Sequence, residues 1–237
     1  MRASGCDDER VRVVDLGADV SYAEGVRHQR AAAAAVDTDG PVLFLLEHAA
    51  VITITRRGGT THVFSSRERL AALGIELCET DRGGDVTFHG PGQLVGYPVL
   101  RLGPSSLGSD VVGYVHDLEA GLVDACRALG VHDAHAKPER DAAGNHLTGV
   151  WCRAPDDSTD AKLCAIGVGL SGGVTRHGFA LNVDIEVERF LAHMVPCGLA
   201  GRGVTSLARV LGAAPSMARV RELVAHAVIA RVGARAR

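Results

Sequence analysis

The sequence is poor in lysine. Among its many basic residues only Lys137 and Lys162 are lysines, and the rest are arginine. A lysine inside an apolar run therefore needs a reason. Other absences exclude whole classes of protein. No apolar run approaches the ~20 residues of a membrane span. The first ten residues carry no apolar signal core, so secretion is not expected. The net charge of −3 and the scattered basic residues argue against nucleic acid as a partner. Six cysteines (Cys6, Cys78, Cys126, Cys152, Cys164 and Cys197) show no C-x-x-C spacing, so neither a zinc site nor a disulfide framework is indicated. These thiols are expected to be reduced, in a cytoplasmic protein. The histidines have no H-x-x-x-H or carboxylate spacing suited to a metal. A Ser-His-Asp reading is not favoured either, because Ser171, followed by Gly-Gly, is more simply a turn.

What is present centres on Arg82–Tyr97, Arg-Gly-Gly-Asp-Val-Thr-Phe-His-Gly-Pro-Gly-Gln-Leu-Val-Gly-Tyr. Five glycines lie among Arg82, His89 and Gln93, without the spacing of a dinucleotide fingerprint or a Walker A loop. Glycine permits φ > 0 and close approach of backbone to a ligand, so the stretch reads as a loop and short strands shaped around something.

The remainder predicts an α/β (α+β) fold, with a mixed, largely antiparallel sheet flanked by helices. One domain is expected over 1–237, with residues 1–10 frayed. Val11 to Leu16 reads as a strand. Ser21-Tyr-Ala-Glu24 is a capping box for a helix to about Val36. Pro41 to Glu47 reads as a strand buried on both faces, and Val51 to Thr55 as its neighbour. Ser66 to Leu73 predicts a short helix and Ile75 to Cys78 a strand. From Asp110, Val111, Val115, Leu118, Leu122, Cys126 and Leu129 recur at helical spacing up to Gly130. His132 to His146 looks like an exposed loop. Thr148 to Cys152 and Lys162 to Leu170 read as strands, and Ser171-Gly-Gly173 as a hairpin turn into Val174 to Val183. A short helix over Ile185 to His193, a loop over Met194 to Gly203, and a C-terminal helix capped by Ser216 complete the chain.

Two residues invite chemistry. Strand alternation groups Lys162 with Cys164, Ile166 and Val168 on one face, against Leu163, Ala165, Gly167 and Gly169. A lysine there is either snorkelling from a strand end or held in a site, where burial would lower its pKa and suit it to proton transfer. Cys197, between Pro196 and Gly198 in a loop, is presented as a nucleophile better than the other thiols. His89 and His177 each precede a glycine beside a strand, where a structural and a catalytic role are both open.

Together these segments resemble the octanoyltransferase (lipoyl(octanoyl) transferase) family. Arg82 to Tyr97 is similar to its R-G-G-x-x-T-[aromatic]-H-x-x-G-Q-x-x-x-Y signature, and Lys162 to Val168 to its K-[IVL]-x-A-I-G-V strand. Thr175 to Val183 matches T-x-H-G-x-A-L-N-V, and Val195 to Gly198 with Thr205 to Leu207 matches V-P-C-G followed by T-S-L. Glu47 to Thr55 departs from E-H-P-P-x-x-T-x-G: both prolines are alanine and the glycine is Thr55. The resemblance implies a biotin/lipoate protein ligase catalytic-domain fold. It implies octanoyl transfer from acyl carrier protein, through a Cys197 thioester, to a lysine of apo lipoyl domains (2-oxoacid dehydrogenase E2 subunits, the glycine cleavage H protein). Lys162 would be the partner that lowers the thiol pKa. Arg82, Gly83, Gly84, Asp85, Val86, Thr87, Phe88 and His89, with Ala165, Ile166, Gly167, Gly178, Phe179 and Ala180, would line the acyl pocket. No cofactor, ATP or metal is implied, and a monomer is expected. Other readings are an ATP-dependent lipoate or biotin ligase and a non-catalytic acyl-carrier-binding relative.

Overall fold

The computed structural model describes residues 11–55, 59–103, 109–140, 144, 146–154, 159–195 and 203–236. The elements in chain order are β1 (Arg12–Val20), α1 (Tyr22–Asp39), β2 (Val42–His48), β3 (Val51–Thr55), α2 (Arg67–Ala72), β4 (Glu76–Thr80), β5 (Thr87–His89) and β6 (Gln93–Val99). They continue with α3 (Ser109–Ala128), β7 (His135–Ala136), β8 (Gly149–Arg153), β9 (Asp160–Ser171), β10 (Val174–Asn182), α4 (Val187–Leu191), α5 (Leu207–Leu211) and α6 (Met217–Val232). A seven-stranded sheet has the order β1-β2-β6-β10-β9-β8-β7, and a three-stranded sheet the order β4-β3-β5. Among the described strand pairs of the large sheet, only β1–β2 is parallel. The expected α/β class with a largely antiparallel sheet is what forms. None of the described helices is long and apolar enough to cross a membrane.

The helix starts follow from local chemistry. Ser21, Ser66 and Ser216 each accept a hydrogen bond from the backbone N–H three residues on, which satisfies a donor the helix leaves open. One face of the large sheet packs against α3 and α6 through Leu43, Leu45, Leu94, Leu118, Leu122, Val224 and Val228. The other face carries Phe44, Leu46, Val95, Tyr97 and Ala180 and is partly covered by α1. The small sheet has its own core, including Ile52, Ile54, Leu70, Phe88, Phe190 and Met194.

Several expectations need correction. Strand β3 does not neighbour β2: it centres the small sheet, parallel to β4 and antiparallel to β5. An apolar run records burial but not which sheet buries it. The segment after His132 is not simply exposed: β7 pairs with β8, and the Lys137 ammonium lies 2.6 Å from the Asp160 carboxylate. Helix α5 has no counterpart in the sequence reading, because five residues carry little periodicity. Gly167 to Gly173 contains strings that fit G-x-G-x-x-G and G-x-S-x-G. They run along β9 into an antiparallel hairpin, so neither the strand-to-helix phosphate turn nor the nucleophile elbow is formed.

Candidate active site

Strand β9 carries a bulge that decides where Lys162 points. Cys164 stands opposite Val150 and Lys162 opposite Trp151, so Leu163 is an extra residue between them. Leu163 and Cys164 both enter the helix-side core, where Ile166 and Val168 also pack. Lys162 emerges on the opposite face with Ala165 and Gly167. The alternation expected from the sequence is thus corrected: Lys162 shares a face with the small residues. Its Nζ donates to the Thr148 carbonyl at 3.3 Å and lies 4.8 Å from the centre of the Trp151 ring. Lys137 Nζ lies 5.3 Å from the same ring, so both lysines of the chain flank one tryptophan.

The glycine-rich loop lies directly on this face. The Gly83 N–H donates to the Val168 carbonyl at 2.8 Å. A Cβ at Gly167 would stand 2.9 Å from the Gly83 carbonyl oxygen, so the small residues of β9 admit loop backbone. Arg82 organises the loop from inside: its guanidinium donates to Thr53 Oγ1 and the Asp85 carbonyl, each at 2.8 Å, and to the Gly83 carbonyl at 3.0 Å. Thr55, where the family pattern has glycine, donates to the Gly84 carbonyl at 3.1 Å and adds a tether. His62 pairs with the Asp85 carboxylate. A cleft of about 420 Å³ opens between this loop and the end of β9, lined by Thr55, Thr80, Asp81, Arg82, Gly83 and Gly169.

Beneath the loop, aromatic and imidazole rings gather. His89 stacks on Tyr22 with centroids 6.3 Å apart and lies 5.6 Å from His48. Complete burial drives His89 well below the usual histidine pKa, so its neutral ring donates through Nδ1 to Gln93 Oε1 at 2.8 Å. His48 is pulled down to about 4, mainly by burial; its Nδ1 donates to the Val20 carbonyl and its Nε2 accepts from the Tyr97 hydroxyl at 2.6 Å. His177 has a left-handed backbone, φ 57°, which turns its ring out of strand alternation and onto the loop side. Burial lowers its pKa despite the Asp81 carboxylate, to which Nε2 donates at 2.9 Å. At Asp81, partial burial opposes ionisation, but hydrogen bonds from His177 and Arg176 outweigh it and hold the carboxyl at about 2.

This cluster makes stability depend on pH with a definite sign. His48 binds a proton near pH 6.5 when unfolded but only near 4 when folded. Its neutral ring therefore contributes fully above pH 6.5, and the contribution is lost as pH falls toward 4. The loss is of order ~3 kcal/mol for this group alone. Urea unfolding at about pH 7.5 and about pH 4.5 should show the lower stability at the acid end; equal stabilities would contradict buried neutral histidines.

The other expected site residues are placed as follows. Val86 and Phe88 are buried in the small-sheet core, and Thr87 faces Thr53 across β5–β3. Ile166 and Phe179 point into the helix-side core, so only their backbone reaches the loop face. Gly178 is needed by the sheet itself, since a Cβ there would stand 2.3 Å from the Gly96 carbonyl oxygen. Ala180 lies on the loop face. Cys197 lies outside the described residues. Both flanks of its segment are tied down: Val195 N–H donates to the His62 carbonyl at 3.0 Å, and Lys162 N–H donates to the Gly203 carbonyl at 2.9 Å. Sequence reasoning did not assign Tyr22, His48, Asp81 or Tyr97, whose proximity arises only from packing α1, β2, β6 and the end of β4 together.

The lipoyl protein ligase A/B catalytic domain family matches residues 21–229. The chain is 46% identical over 182 residues to the octanoyltransferase of Chloroflexus aggregans, covering 76% of each chain. It is 44% identical over 209 residues to that of Chloroflexus aurantiacus, covering 88% of this chain and 85% of the relative. In fold it is similar to the bipartite lipoate protein ligase of Thermoplasma acidophilum, with a TM-score of 0.69 and 17% identity over 94% of this chain and 84% of that one. With the motifs around Arg82 and Lys162 set on this fold, the chain belongs to the lipoyl protein ligase A/B catalytic domain family and, within it, to the octanoyltransferases, a group of acyltransferases.

Proposed function

We propose that the protein transfers an octanoyl group from octanoyl-acyl carrier protein, through a thioester on Cys197, to the ε-amine of a lysine on apo lipoyl domains. The observation that supports this most is the placement of Lys162. It stands on the loop-facing side of β9, and both its backbone groups are bonded to residues 203–205, which follow the segment carrying Cys197. In the first half-reaction the Cys197 thiolate attacks the octanoyl carbonyl, the C–S bond to phosphopantetheine breaks, and the Lys162 ammonium protonates the departing thiolate. In the second, a substrate lysine amine attacks the octanoyl-Cys197 carbonyl, neutral Lys162 takes its proton, and the thiolate leaves an amide behind. One group serves as acid and then as base, and the cysteine returns unchanged. Backbone N–H groups hold the tetrahedral oxyanion. The acyl chain lies beside the loop, on the face of β9 and β10 that carries Lys162, Ala165 and Ala180, where Ile166 and Phe179 contribute backbone only.

Because a thioester is converted to an amide, the reaction needs no ATP, cofactor or metal. The enzyme is proposed to act as a cytoplasmic monomer, on E2 lipoyl domains and the glycine cleavage H protein alike. Incubation with octanoyl-acyl carrier protein and an apo lipoyl domain, without nucleotide, should convert the domain to its octanoyl form by mass. Transfer that required ATP and free acid would indicate a ligase instead.

A further inference from the structure

Strand β10 leaves β9 just where Lys162 needs a partner. The last pair between them is Leu181 with Cys164, after which Val183 and Asp184 turn their N–H groups to the Gly92 carbonyl. Residues 203–205 take the vacated place beside β9. Lys162 N–H donates to the Gly203 carbonyl at 2.9 Å, and Thr205 N–H donates to the Lys162 carbonyl at 3.0 Å. Asn182 sits at this junction, its Nδ2 donating to the Thr205 carbonyl at 2.9 Å. Its Oδ1 accepts from Gln93 Nε2 at 2.9 Å, and Gln93 Oε1 accepts from His89. The chain from His89 to Thr205 has one donor direction throughout. Asn182 and Gln93 are opposite each other on β10 and β6 and only 4% and 2% exposed.

Buried amides are costly unless both ends are satisfied; here they are, and the bond that satisfies Asn182 Nδ2 reaches the segment beside Lys162. We propose that Asn182, aligned by Gln93, is a positioning residue for Lys162: it fixes the Thr205 carbonyl and thereby the short segment that holds the lysine backbone. The inference rests on the reading of Lys162 as the proton-transfer group.

Octanoyl transfer by the full chain is measured across pH for wild type, Asn182→Ala and Asn182→Asp, with folding followed by circular dichroism. Asn182→Ala should lower kcat about tenfold to a hundredfold at every pH, with the KM for the acyl donor little changed. Asn182→Asp keeps both hydrogen bonds while its new carboxyl is protonated, O–H to Thr205 and C=O from Gln93. Its deficit should therefore deepen as pH rises and that proton is lost. Wild-type kcat in Asn182→Ala, or a deficit in folded Asn182→Asp that ignores pH, overturns the positioning role. If the alanine variant fails to fold, the pH profile of the aspartate variant decides alone. A wild type without transfer would remove the underlying reading of Lys162, and this inference with it; active wild type with unaffected variants removes only the inference.

Discussion

Lys162→Ala is expected to slow octanoyl transfer by roughly two to four orders of magnitude, the range for deleting a positioned proton-transfer group. The fold should survive. The lysine is half-buried and its backbone hydrogen bonds do not depend on the side chain, while Trp151 beneath it is fully buried and stays packed. Thiol alkylation at Cys197 near neutral pH should slow in the same variant, because in the proposed pairing the cation that favours the thiolate is gone. Lys162→Arg separates charge from proton transfer. A guanidinium retains positive charge but does not give up its proton near neutrality, so thiol alkylation at Cys197 should stay near the wild-type rate while octanoyl transfer, which needs a proton given and then taken, fails. Unchanged transfer and alkylation in Lys162→Ala would remove the lysine from the chemistry.

Much of the fold was legible because short-range chemistry writes it. The Ser21 and Ser216 caps, the doubly buried β2 and the Gly172–Gly173 hairpin each depend on neighbours in sequence. What failed depended on partners far along the chain. The face of Lys162 differs from the one strand alternation predicts, because the extra residue at Leu163 is visible only against β8. His177 leaves strand alternation through a positive φ that a non-glycine residue does not advertise. The site divides in the same way. Arg82, His89 and the small residues of β9 stand out by type and spacing. Their roles do not: Arg82 is spent on Thr53, Asp85 and Gly83 inside the loop, and the glycines admit that loop before any acyl chain. Asn182 was legible only as part of a strand motif, yet it joins two strands and the segment beyond Cys197.

Cys197→Ser is the second change expected to act by orders of magnitude. A hydroxyl is hardly ionised at neutral pH and is a far weaker nucleophile than a thiolate, so neither the acyl-enzyme nor the product amide should form at a useful rate. The lysine, the loop and the cleft would remain in place, which makes the variant a clean probe of the nucleophile. The deciding measurement is the intact mass of the protein after incubation with octanoyl-acyl carrier protein alone. Wild type should gain one octanoyl group, removable by hydroxylamine as a thioester is, and Cys197→Ser should gain none. An unmodified wild type, or a thioester adduct that persists on Cys197→Ser, would contradict covalent transfer through this cysteine.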